Sequence, residues 1–156
     1  MRDIIDIDKN ERLDKMRLWH KDLIEVLPRE QLVAQWRELS AIAGNINERG
    51  SPNHILVNKI MDYDLWNFTS YAYHVRAEMT KRGYKTMERV WDKICSVDEK
   101  VDSIYPPHCL FPGWHNERYF EQCYCNLQEK YDCGGIREED WNKIQSLYLK
   151  RGGGGF

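Results

Sequence analysis

The stretch from Gln31 to Gly44, Gln-Leu-Val-Ala-Gln-Trp-Arg-Glu-Leu-Ser-Ala-Ile-Ala-Gly, constrains this chain more than any other. Leu32, Val33, Trp36, Leu39 and Ala43 recur at helical spacing, which predicts an amphipathic helix over about 28–43 with one buried face. Pro28 suits the first turn, where no intrahelical N–H is needed, and Gly44 suits the end, where a left-handed residue closes a helix. Gln31, Gln35 and Glu38 fall at i, i+4 and i+7 and form a polar strip along one edge of the apolar face. A carboxylate at such a margin is either a solvated helix group paired with a neighbour or a partly desolvated acid suited to proton transfer.

The same period returns further on. Leu65, Phe68, Ala72, Val75 and Met79 predict a second helix, with Asp62 or Asp64 as its cap and Gly83 as its end. Met87, Val90, Trp91 and Ile94 predict a shorter one from Thr86 to about 97. Phe120, Cys123, Leu127 and Tyr131 predict one over about 115–131, and Trp141, Ile144 and Leu147 or Tyr148 a last one over about 137–149. Tyr105-Pro-Pro-His and Phe111-Pro-Gly-Trp make 98–114 a long irregular loop, a kind of segment that is often functional in a small domain. No strand pair and no repeat is evident. The expectation is all-α: a compact single-domain helical bundle with long irregular loops.

Composition sets limits on function. A net charge of −2 means that any basic surface able to hold phosphate must be local. No apolar run approaches the roughly 20 residues needed to span a bilayer, and the charged N-terminus lacks a signal-peptide core, so no membrane partner and a cytoplasmic location are expected. Five cysteines, an odd number, fit reduced thiols. Cys123 and Cys125, with Cys133, His108 and His115 nearby in sequence, could suggest zinc. On a helix, however, positions i and i+2 point apart, so no metal is expected there.

The segment Gln31-Leu-Val-Ala-Gln-Trp-Arg-Glu-Leu39 resembles the pyrimidine dimer DNA glycosylase/endonuclease V family, whose members carry a His-Leu-Met-Ala-Glu-Tyr-Arg-Glu-Leu-like segment. The resemblance continues at Ser51-Pro-Asn-His-Ile-Leu56, at Met79-Thr-Lys-Arg-Gly-Tyr84 and around Arg118, and spans roughly residues 16–131. It implies a DNA repair glycosylase acting on double-stranded DNA with pyrimidine-dimer-like bases, without a cofactor and as a monomer. Glu38 matches the family's catalytic acid and Arg37 an arginine that contacts phosphate. In the family, the amine of the first mature residue attacks the sugar C1′, and the resulting Schiff base permits abasic-site lyase cleavage. Met16 precedes Glu38 by the family's own interval from initiator Met to catalytic Glu.

Residues 1–15 therefore read as an N-terminal extension, either disordered or not natively translated. Residues 16–150 read as a helical glycosylase-like domain and 151–156 as a flexible Gly-rich tail. Glu38, Met16 and Arg17 are the candidate catalytic positions, and Arg37, His20, Lys21 and Arg118 the candidate DNA contacts. Lys15 or Lys21 is a substitute nucleophile if the extension blocks the amine. Arg76, Lys81 and Arg82 form either a basic or merely a solvated face. The chain departs from the family at Gln31, where the family has histidine, at Ala41, where it has a basic residue, and at its C-terminal end. The alternative is a non-enzymatic helical module of the same ancestry that binds nucleic acid or protein.

Overall fold

The computed structural model describes residues 16–152. The expected 1–15 extension and most of the Gly-rich tail lie outside these residues. The described part holds five α-helices and no strand: α1 Arg29–Arg49, α2 Trp66–Lys81, α3 Glu88–Cys95, α4 Glu117–Asp132 and α5 Glu138–Lys150. Three short 3-10 turns, Lys21–Val26, Asn58–Asp62 and Pro107–Cys109, punctuate the connections.

Helix α1 packs on α2 and α3, α4 pairs with α5, and the turn Lys21–Val26 touches α2, α5 and the turn Pro107–Cys109. The buried faces follow the sequence periods. Leu32, Leu39 and Ile42 of α1, Phe68 and Tyr71 of α2, Ile94 of α3 and Phe120 of α4 have essentially no exposed surface. Each such side chain contributes roughly 1.5–3 kcal/mol of burial free energy. Between α4 and α5 the core becomes aromatic, with the Tyr124 and Tyr148 rings stacked 3.7 Å apart and Trp141 packed on Tyr124 and Tyr131.

Three boundaries differ from expectation, each for a local reason. Helix α1 runs on past Gly44 to Arg49, and Gly50, at φ 77°, supplies the left-handed cap instead. Gly44 sits inside the helix where the Lys93 side chain crosses, 3.1 Å from where a Cβ would stand. Neither Asp62 nor Asp64 caps α2 through its side chain. Arg151 is no part of a loose tail: it pairs with Asp22 and Glu117 and lies 3.9 Å over the Phe120 ring.

The loop 98–114 is less open than its composition implied. Leu110 and Phe111 are fully buried. Phe111 adopts a left-handed φ of 47°, held by its N–H donating to Asn67 Oδ1 at 2.8 Å. A bulky residue takes that conformation only where packing and hydrogen bonding over-determine it. Here Tyr63, Tyr71, Trp114 and His115 surround its ring.

Candidate active site

The residues before the first turn run through the interior as an extended segment without a sheet. Their backbone groups must therefore find partners among side chains. Gln35, fully buried on α1, supplies two of them. Its Oε1 accepts from Trp19 N–H at 2.8 Å, and its Nε2 donates to the Arg17 carbonyl at 2.9 Å. The Tyr71 hydroxyl donates to the Trp19 carbonyl at 2.6 Å and lies 3.0 Å from Gln35 Oε1. The Tyr119 hydroxyl donates to the Leu18 carbonyl at 2.5 Å. Helix α1 thus clamps two points of a three-residue segment, and α2 and α4 one each.

That clamp fixes Glu38. Gln35 Nε2, one turn before it, also donates to Glu38 Oε2 at 3.3 Å, so one amide bridges the carboxylate and the Arg17 backbone. Burial pushes the Glu38 pKa up to about 7; the Arg17 amide and the Arg17, Lys130 and Arg37 charges pull it back only in part. Arg37 and Lys130 are exposed, where water screens their charge, and the half-buried Arg17 does not offset the desolvation. The carboxyl faces a cleft of about 550 Å³, lined among others by Trp19, Arg29, Arg37 and Lys130. An acid that titrates near neutrality in an open cleft can donate or accept a proton at physiological pH.

The other sequence-derived candidates divide. Met16 is buried, and Arg17 lies with its backbone beside Gln35 and Glu38 and its guanidinium 5.1 Å over the Trp19 ring. Arg37 is exposed on the cleft wall. Arg118 lines a second cleft of about 540 Å³ together with Arg17 and Lys59.

His20 and Lys21 are placed otherwise than expected. His20 is 1 % exposed, stacked on His115, with its Nδ1 accepting from Asp22 N–H. It caps the turn Lys21–Val26 from inside and lines neither cleft. Lys21 donates through Nζ to the Leu110 carbonyl at 2.6 Å and to the His108 carbonyl at 3.3 Å, and lines neither cleft. It is a tie between the N-terminal segment and the long loop. Lys15 lies outside the described residues.

Arg76 and Arg82 are also ties. Arg76 pairs with Glu88, and Arg82 pairs with Glu78 and donates to the Leu27 and Glu25 carbonyls.

Sequence reasoning put Gln35 on the polar strip without giving it a role, and missed Tyr71, Tyr119 and Lys130. Gln35 alone carried a signal, as a polar residue flanked by core positions on its own helix. The others come from α2 and α4, and only the tertiary fold brings them to residues 17–38.

Residues 16–92, just under half of the chain, match the family model for pyrimidine dimer DNA glycosylase. No curated protein and no solved structure matches the chain. The matched segment begins at Met16 and takes in Gln35, Arg37, Glu38 and Tyr71, while Arg118, Tyr119 and Lys130 lie beyond it. In the part that builds the Glu38 cleft and its clamp through α1 and α2, the chain is thus similar to the pyrimidine dimer DNA glycosylases.

Proposed function

We propose that this protein is a DNA repair N-glycosylase acting on pyrimidine-dimer-like damage in duplex DNA, with Glu38 as its acid–base group. The observation that carries the reading is the Glu38 carboxyl itself. Its pKa is raised to about 7, and it lines a cleft together with Arg29, Arg37 and Lys130, against which Glu30 sets one further carboxylate. Breaking the bond from C1′ to the base leaves positive charge on the sugar and negative charge on the departing base. An ionised carboxylate stabilises the first, and a protonated one delivers a proton to the second. Arg37, exposed beside Glu38, is placed to hold a flanking phosphate.

The nucleophile separates two forms of the reaction. With residue 15 in place, the Met16 nitrogen is a peptide amide and cannot attack C1′. Water would then complete base release and leave an abasic site that reads as an alkali-labile break. For a dimer this is release from the sugar alone, because the base stays bonded to its partner. A chain beginning at Met16 would carry a free α-amine three residues before the clamped Trp19 N–H. That amine would form an imine and allow strand cleavage by β-elimination. Among the described residues lining the Glu38 cleft, Lys130 holds the lone side-chain amine.

Incubation with dimer-containing and abasic-site duplexes in borohydride distinguishes these routes, because borohydride reduces an imine to a stable adduct. The full chain and a form beginning at Met16 are assayed side by side for base release and for trapping. Base release without trapping by the full chain, and trapping by the shorter form, is the expected pattern. Absence of base release in both forms, with DNA binding intact, would replace the enzyme with a binding module.

A further inference from the structure

The second cleft has a composition that the Glu38 cleft lacks. Arg17, Lys59 and Arg118 line it, together with neutral amides and aromatic residues, and no carboxylate lines it. In a chain of net charge −2, three cations around one carboxylate-free concavity form a local basic site.

At its lip stands an apolar tip. Ile55 is 84 % exposed and Leu56 44 %, and both line the same cleft. A single exposed isoleucine is ordinary on a protein surface. This one is presented on a tightly built turn. Val57 and Asn58 N–H donate to the His54 carbonyl at 3.1 and 2.8 Å, Leu56 N–H donates to His54 Nδ1, and His54 N–H donates to Asn58 Oδ1. Val57 and Ile60, both fully buried, root the turn in the core. Asn45 on α1 ties it from the other side by donating to the Pro52 carbonyl at 2.9 Å. The turn therefore cannot fold its apolar tip away, although Val57 and Ile60 beside it are withdrawn from water.

We propose that Ile55, backed by Leu56, is a wedge that enters a base step of duplex DNA whose phosphates are held by Arg17, Lys59 and Arg118. An apolar side chain pushed between bases loses its water and unstacks the step, while the flanking cations hold the backbone that the insertion displaces. The occupant is duplex nucleic acid because anionic groups are needed along the cleft and a flat apolar surface is needed at its lip. Arg17 links the two clefts: its side chain lines this one and its backbone is bridged to Glu38. The inference rests on the glycosylase reading for its substrate. Its chemistry is unstacking, which makes a base and its C1′ accessible.

The test uses the full chain and a damaged duplex carrying, next to the lesion, a fluorescent base analogue whose emission rises on unstacking. Binding is followed by anisotropy and base release in the same samples. The wild type should raise the emission, and Ile55→Ala should lose that rise while binding weakens only a few-fold. Ile55 is exposed, so the variant should unfold at the wild-type temperature. Lys59→Ala should lower the salt slope of binding by about one and keep the rise at saturation. An equal rise with wild type and Ile55→Ala, or no rise with bound wild type, would overturn the wedge. Base release without any rise would sink the wedge and leave the glycosylase reading standing. A rise that depends on Ile55 without base release would sink the glycosylase reading and leave the wedge.

Discussion

Glu38 and Arg37 are neighbours in sequence and opposites in environment. Arg37 projects to solvent, whereas the Glu38 carboxyl is drawn under the rim by a hydrogen bond from a glutamine one turn away. That difference sets two expectations at the scale of the residue. With the Glu38 pKa near 7 and those of His20 and His115 lowered by burial to about 4 and about 2, the carboxyl is the described site group expected to titrate near neutrality. The pH profile of kcat/KM for base release should bend near pH 7, and the bend should vanish in Glu38→Gln together with most of the activity. A profile flat between pH 5 and 9 would remove Glu38 from proton transfer.

The second expectation concerns stability. A carboxyl whose folded pKa lies above its unfolded value favours the folded state below about pH 4.5 and loses that contribution as pH rises through about 7. Replacing it with glutamine keeps the acceptor for Gln35 and removes the buried charge. Glu38→Gln should therefore stabilise the fold at pH 8 by about 2 kcal/mol, and the gain should fade toward pH 5; solvent at the rim holds it below the full shift. Urea unfolding at the two pH values measures this. A loss of stability at pH 8 would mean that the charge is better compensated than its burial implies.

At the scale of elements, the unusual component is the segment 17–19, an irregular stretch whose backbone partners are side chains. Its dependence on Gln35 is measurable. Gln35→Leu preserves volume but leaves Trp19 N–H and the Arg17 carbonyl without their partner, at about 1–3 kcal/mol for each buried group. Tyr119→Phe removes a single bond, to the Leu18 carbonyl, and should cost about 1 kcal/mol. A denaturant midpoint that falls much further for Gln35→Leu than for Tyr119→Phe supports the clamp. Equal small effects would show that water substitutes for the glutamine.

How much of this was legible depends on how local its cause is. The helices and their inward faces were readable because a period of apolar residues is a property of the chain alone. Asn116 at the start of α4, which accepts from Tyr119 N–H, lies beside the expected boundary for the same reason. Gly44 misled because a glycine that ends one helix can, elsewhere, make room for a crossing lysine. The strip Gln31, Gln35, Glu38 drew attention to the site but not to its wiring, since Tyr71 and Tyr119 reach it across long sequence separations. His20 and Lys21 looked like site residues because they follow Trp19 in sequence, yet the chain turns inward there and carries both away from the cleft.

At the scale of the whole molecule, basic groups gather at two clefts, one without a carboxylate and one that also holds Glu30 and Glu38. The net charge of −2 coexists with a carboxylate-free cleft holding three cations and with a second cleft rimmed by three more. The interior adds a pH limit of its own. His20 and His115 stack in the core with pKa values lowered by burial, so their contribution is present above about pH 6.5 and is lost as pH falls toward 4. Glu38 acts in the opposite sense between about pH 4.5 and 7, but it is one group against two. The thermal midpoint should thus decline steadily from pH 7 to pH 4, and a scan across that range checks it; a midpoint that rises on acidification would place water or a counter-charge beside the imidazoles.

The account stands or falls on whether the Glu38 cleft breaks a glycosidic bond. The most direct measurement is single-turnover release of the damaged base from its sugar in a dimer-containing duplex, read as alkali-labile abasic sites, by wild type and by Glu38→Gln, with binding followed in parallel. The account predicts release by the wild type and a loss of about a hundredfold or more in the variant, at nearly unchanged affinity. Release by both at equal rates, or by neither while both bind the duplex, would contradict it.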